Sequence, residues 1–111
     1  MDGYVRRTEP GAPGARLTAV RRWKIAKWIY MRGWRLGQVF EDLAYDTDDD
    51  PRLREALERI ESGESSGIVI ARLHQIGDSL AQAVDAIERI RAAGGAFASV
   101  CDGIDLSTPT G

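Results

Sequence analysis

Apolar positions along the chain fall into short runs separated by breakers. Residues 3–7, Gly-Tyr-Val-Arg-Arg, predict a short strand, and the Thr-Glu-Pro-Gly-Ala-Pro-Gly stretch at 8–14 predicts a loop. No Gly or Pro interrupts 17–32, which reads as a helix stopped by Gly33. Residues 38–41 are strand-like and 44–50 form an acidic loop. Pro51 suits the first turn of a helix that Asp50 can cap, with Leu53, Leu57 and Ile60 as its apolar stripe up to Gly63. Gly-Ile-Val-Ile-Ala at 67–71 is the continuous β-rich run of a strand buried on both faces. Ser79 or Asp78 then caps a third helix with Leu80, Val84, Ile87 and Ile90 inside, ending at Gly94-Gly95. Residues 96–100 read as a fourth strand and 102–111 as a turn-rich tail.

Strand and helix thus alternate throughout. That order predicts an α/β domain, a mostly parallel four-stranded sheet with helices on both faces in three layers. Ligands of such sheets meet the loops at the carboxyl ends of the strands, which here begin at Thr8, Leu43, Leu73 and Asp102.

The chain has 111 residues, the size of one domain, and its 43% hydrophobic content supports a core without staples. One cysteine, Cys101, permits no internal disulfide, which fits a reducing compartment. No apolar run is long enough to span a membrane and the first residues carry no signal-peptide core, so the expected location is cytoplasmic. A net charge of −2 conceals an uneven layout. Nine basic residues and one acid lie between Arg6 and Arg35, whereas ten acids and three arginines lie between Glu41 and Glu64. The basic third suits a phosphate backbone or an acidic partner, although the overall balance is not that of a dedicated DNA-binding module.

The strand-end loops also carry four segments in register. They are Gly-Tyr-Val-Arg-Arg-Thr at 3–8, the Asp-Pro-Arg-Leu helix from 50, Ile-Val-Ile-Ala-Arg-Leu-His-Gln-Ile-Gly-Asp at 68–78, and the ending Ile-Asp-Leu-Ser-Thr-Pro-Thr-Gly at 104–111. In that order and spacing the chain resembles the catalytic domain of serine recombinases, the resolvase/invertase family. The resemblance implies a serine that attacks a DNA phosphodiester, arginines that gather the phosphate oxygens, and no metal or cofactor. It places the nucleophile on Thr8 and the first-strand arginine on Arg6. The arginine before the Pro-x-Leu helix falls on Asp50, the loop aspartate on His74, the two following arginines on Gln75 and Asp78, and the motif lysine on Arg72. Three cations thereby become one amide and two carboxylates, so the resemblance implies a degenerate site that does not cleave. Arg6 and Arg72 remain as candidate DNA contacts. The family continues past its Pro-x-Gly ending into a dimerisation helix and a DNA-binding domain, so 1–111 is expected to be the catalytic-type domain alone.

Three functional readings follow. The first is a recombination-related protein that keeps DNA association and self-assembly without strand cleavage. The second is a repurposed protein-interaction or regulatory module, and the third is a weak recombinase using Thr8. The helix at 17–32 bears on the second. At 100° per residue, Ala19, Trp23, Ala26 and Tyr30 share one arc, and Leu17, Trp28 and Met31 share another nearly opposite, so one arc can face the sheet while the other offers aromatic contacts for a partner or a second copy. Elsewhere the bland readings prevail. His74 is a lone loop histidine, and Cys101 a small buried hydrophobe closing a strand. The 46–50 carboxylates lack calcium-loop spacing, and Ser65, Ser66 and Ser79 have no base around them.

Overall fold

The computed structural model describes residues 1–7, 9–43 and 50–106. Its elements are β1 (Asp2–Arg7), α1 (Gly11–Met31), β2 (Val39–Leu43), α2 (Pro51–Glu61), β3 (Gly67–Ile70), a 3-10 turn (Leu73–Gln75), α3 (Leu80–Ala92), β4 (Ala96–Ser99) and β5 (Ile104–Leu106). They build one sheet in the order β2-β1-β3-β4-β5. The first four strands are parallel, with Tyr4 opposite Phe40, Gly3 opposite Val69 and Ile68 opposite Phe97, and β5 runs antiparallel to β4.

The period-two alternation of strand side chains divides the core. Tyr4, Ile68, Ile70 and Phe97 pack with Leu53, Ala56, Leu57 and Ile60 of α2 and Ala83 and Ile90 of α3. Val5, Val69 and Ala98 point the other way, onto Ile25 and Ile29 of α1. The sheet therefore lies between two helices on one face and one on the other, the three-layer α/β arrangement expected, with β5 as a fifth strand. Residues 104–106 lie in the segment read as a tail. Gly103, at a positive φ of 67°, turns the chain back so that Ile104 and Leu106 pair with Ser99 and Phe97.

Local readings required correction where tertiary contacts overrode pattern. Helix α1 begins at Gly11, inside the stretch read as a loop. Pro13 is compatible because the first-turn N–H groups have no intrahelical partner to lose. Gly14 allows the turn to back onto the preceding loop, where a Cβ would overlap the Glu9 carbonyl oxygen. The buried seam of α1 is Gly14, Thr18, Arg21, Ile25 and Ile29, which neither aromatic arc contains. Trp23, Tyr30, Leu17 and Met31 are all exposed. Trp28 is half-buried, edge-on to Trp34 with ring centroids 5.6 Å apart and capped by the Arg32 guanidinium at 4.3 Å.

On α3, Ser79 is the cap, its Oγ accepting from the Gln82 N–H at 3.2 Å. The inner stripe, however, is Ala83, Ile87 and Ile90, while Leu80 and Val84 are exposed. The helix backs directly onto Gly77, which leaves room only for the small Ala83 on that side. Cys101 is half-buried in the turn after β4, with Lys24 Nζ 3.7 Å from its sulfur.

Asp50 occupies the N-cap position of α2 but makes no capping bond. Asp42, buried near the end of β2, replaces it. Its two oxygens accept the N–H groups of Arg52 and Leu53, each at 2.9 Å, and one also accepts the Tyr4 hydroxyl at 2.8 Å. Burial, and then this bond to Asp42, push the Tyr4 phenol well above its ordinary value. A buried carboxylate is tolerable here because helix N-terminal donors and a hydroxyl surround it. A second buried carboxylate, Asp2, accepts the Gln38 N–H and Arg59 Nε, both at 2.9 Å, and so fastens α2 to β1.

Two measurements test this packing. Asp42→Ala strands three donors, two of them helix-terminal, and is expected to cost about 3 kcal/mol in urea unfolding. A loss below about 0.5 kcal/mol would mean that the α2 cap lies elsewhere. On α3, Val84→Lys is expected to stay within about 0.5 kcal/mol of the parent, whereas Ala83→Leu overpacks the Gly77 contact and costs about 2 kcal/mol. The reverse order would contradict the phase of that helix.

Candidate functional site

The carboxyl ends of β1, β3 and β4 open on the same end of the sheet, and most of the chain's remaining chemistry gathers there. Arg6 is the central residue. It lies near the end of β1 with its side chain only 6% exposed. One terminal nitrogen, Nη2, donates to Asp50 Oδ2, and the other, Nη1, donates to Asp78 Oδ1 at 2.6 Å. Its backbone N–H donates to Gln75 Oε1, also at 2.6 Å. Burial alone would lower the affinity of this guanidinium for its proton, but the bonds to Asp50 and then Asp78 override it and hold the charge more firmly than usual.

The three partners arrive from different elements. Asp50 immediately precedes α2, Gln75 closes the 3-10 turn after β3, and Asp78 immediately precedes α3 and its cap Ser79. Asp78 is well exposed and Asp50 much less so, while Gln75 is fully buried. Arg6 Nε and Gln75 Nε2 are buried and find no partner among the described residues. Four of the positions singled out from the sequence, Arg6, Asp50, Gln75 and Asp78, therefore meet in one cluster. Thr8 lies outside the described residues. Its neighbour Arg7 is folded back on the loop, Nη2 donating to the Gly11 carbonyl at 2.8 Å.

A second cluster lies beside the first, between α1 and the loop after β3. Arg21 Nη2 sits 3.2 Å from His74 Nε2. A guanidinium has only donors, so His74 accepts at Nε2 and carries its proton on Nδ1. Burial on that side, then the charges of Arg21 and Arg72, hold the His74 imidazole below its ordinary value, with Asp102 opposing. Asp102 is itself held below the usual carboxylate range, first by the Ser99 hydroxyl at 2.6 Å and further by the Leu73 N–H at 2.7 Å. Arg72 is exposed, and its side chain makes no hydrogen bond or ion pair within the described residues.

Sequence reasoning missed Arg21, Thr18 and Asp42. The first two lie on the buried seam of α1 at helical spacing from Ile25 and Ile29. A hydrophobic pattern passes over polar residues on such a seam. For Asp42 the available signal was an acid in a strand shortly before a helix that starts with proline.

Among the described residues no group of three His, Cys, Asp or Glu side chains is placed to hold a metal ion, and no helix is long and apolar enough to cross a membrane.

Comparison with known proteins agrees with this architecture. The serine recombinase gin of Escherichia phage Mu is 35% identical over 75 residues, which is 67% of this chain and 38% of that protein. The gin protein of Escherichia phage D108 gives the same identity over the same length, 37% of that protein. The match thus spans well under half the length of these relatives. Among solved structures, the N-terminal catalytic domain of TP901-1 integrase superposes with a TM-score of 0.80 at 14% identity, covering 96% of this chain and 81% of that one. A resolvase family site-specific recombinase from Streptococcus pneumoniae gives 0.80 at 15% identity, covering 94% and 73%. These two share the fold. The family model described as the resolvase N-terminal domain matches residues 3–111, nearly the whole chain, and the chain belongs to that family of serine recombinases.

Proposed function

We propose that residues 1–111 act as one recombinase-type catalytic domain that associates with DNA and with its own kind but does not cleave a strand. A single observation carries the reading: both terminal nitrogens of Arg6 are occupied by carboxylates of the same chain, Asp50 and Asp78. Phosphoryl transfer needs cations free to follow the charge that develops on the phosphate oxygens. Here the donors of Arg6 already serve two internal anions, and those anions repel an incoming phosphate. Gln75, which takes the place of a further cation, spends its oxygen on the Arg6 backbone. Loss of one preorganised donor to an oxyanion costs roughly 10²–10³ in rate, and this site lacks three. Threonine at position 8 is a hindered nucleophile that would still need that cradle.

The interaction-module reading has its own support in the exposed aromatic and cationic face of α1. Trp23, Lys24, Lys27, Trp28 and Met31 line a groove of about 350 Å³ against Val100 and Cys101, and Lys27 Nζ lies 4.8 Å from the centre of the Trp23 ring. Aromatic rings beside cations are frequent anchors in protein interfaces. A gel-shift salt series separates the readings, because phosphate contacts weaken steeply as salt rises. A shift at low salt that fades at moderate salt is the expected result, and none at low salt favours the protein partner.

For the chemistry, the expected outcome with a nicked suicide DNA substrate is no covalent adduct on a denaturing gel. An adduct that disappears in Thr8→Ala would overturn the reading. Combining Thr8→Ser, Asp50→Arg, Gln75→Arg and Asp78→Arg is expected to restore partial cleavage. For the clamp itself, Asp50→Ala is expected to destabilise the fold more than Asp78→Ala, because Asp50 is the less exposed partner of a buried cation. Equal urea midpoints for the two variants would contradict this.

A further inference from the structure

The two buried arginines at this end of the sheet are treated differently. Arg6 has two carboxylates, whereas Arg21, only 9% exposed, bonds to no carboxylate among the described residues. Its one polar contact is the neutral ring of His74, and its Nη1 is buried with no partner among the described residues. One turn earlier on the same face of α1, Thr18 is 5% exposed and its hydroxyl is likewise buried and unpartnered. Arg72, two residues before His74, is near enough to lower the Arg21 proton affinity after the larger effect of burial. Burying a cation beside a second cation and without a counter-ion is costly, and proteins rarely keep such an arrangement unless an anion completes it.

The surrounding acids do not fill that role. Asp102, the carboxylate acting on His74 from the β4–β5 turn, already accepts the Ser99 hydroxyl and the Leu73 N–H. Glu9 acts on Arg21 only at a distance and is exposed. Arg6 contributes a further positive charge from β1 but is held by its own acids. Two buried donors, Arg21 Nη1 and the Thr18 hydroxyl, have no partner among the described residues, and the exposed His74 ring and Arg72 guanidinium add further donors that solvent leaves available. A carboxylate offers two oxygens to such a set and a phosphate offers three or four.

We infer that Arg21, Arg72, His74 and Thr18 form an anion site for a single phosphate group, displaced from Arg6 toward α1. The inference rests on the reading above, in that the Arg6 cradle is closed and a phosphate is received beside it rather than in it. Arg21 and Thr18 are positions to which the resemblance assigns no role, whereas Arg72 and His74 stand where it places the motif lysine and the loop aspartate, so the cradle adjoins the family's site and is extended by α1. The phosphate belongs either to a nucleic-acid backbone or to a free phosphate compound, and both present the same oxygens.

The chain's one histidine is His74, which gives the site its own reporter. The experiment follows the His74 ring resonances by NMR in the full chain, across pH and at constant ionic strength set with chloride. One arm adds inorganic phosphate and the other a short DNA duplex. A bound phosphate adds an anion beside the imidazole, so the expected result is saturable movement of the ring signals. The titration midpoint should rise by about half a unit or more. Response to both probes assigns the site to phosphate groups generally, response to the duplex alone assigns it to backbone phosphate, and response to inorganic phosphate alone assigns it to free phosphate compounds.

Arg21→Met is expected to abolish the response and, by removing a buried unpaired cation, to raise the urea midpoint. Should that variant fail to fold, Arg72→Ala, at an exposed position, is expected to weaken binding at least tenfold without unfolding the chain. No response to either probe, or a response unchanged in both variants, overturns the site. A covalent DNA adduct through Thr8 would overturn the inactive-domain reading without touching this one, so the two failures are distinguishable.

Discussion

A guanidinium sealed near the end of an inner strand must be compensated, and much of this end of the molecule is arranged by how Arg6 is compensated. Drawing Asp50 and Asp78 onto its two terminal nitrogens fixes where the chain enters α2 and α3. It also removes Asp50 from capping duty, although Asp50 stands at the capping position. The α2 donors are then met by Asp42, a carboxylate that tolerates burial because Tyr4 adds a third donor. Arg6 and Tyr4 lie two residues apart on β1, so one strand anchors both devices. The ion triad and the cap are successive answers to the same demand, that no charge remain buried and alone.

That demand makes the exception informative. Arg21 lies on the helix covering the opposite face of the sheet, in an equally restricted place, and has a neutral imidazole where Arg6 has two acids. A domain that gives one buried cation two carboxylates and leaves another without a counter-ion among the described residues has concentrated its unmet positive potential at one spot. In the low-dielectric edge of a fold such a potential is felt more strongly than on an open surface.

The fold was legible wherever a residue's environment followed from its immediate neighbours. Ile68, Val69 and Ile70 announce a strand covered on both faces, and Leu53, Leu57 and Ile60 mark the inner side of α2. It was illegible where a contact from far along the chain set the outcome. The phase of α3 is decided by Gly77, the start of α1 by the small size of Gly14, and β5 by an edge of β4 open for pairing. At the site, the resemblance brought Arg6, Asp50, Gln75 and Asp78 to one place, but not the fact that the two acids grip the arginine. Arg21 and Thr18 were hidden because polar residues on a helical seam look like surface until the seam is located.

The position of β1 has a consequence for how the chain reaches this state. It precedes the other strands of the sheet in sequence, yet it is flanked by β2 and β3, and its residues Asp2 and Gly3 pair with Ile68 and Val69. The strand that holds both Tyr4 and Arg6 therefore has no complete set of neighbours until more than half of the described chain is available. Early collapse can form α1 and the β1–β2 pair, but the sheet closes only on a long-range event, and such loop closures slow folding. The acid clamp on Arg6 likewise depends on segments 44 and 72 residues away in sequence.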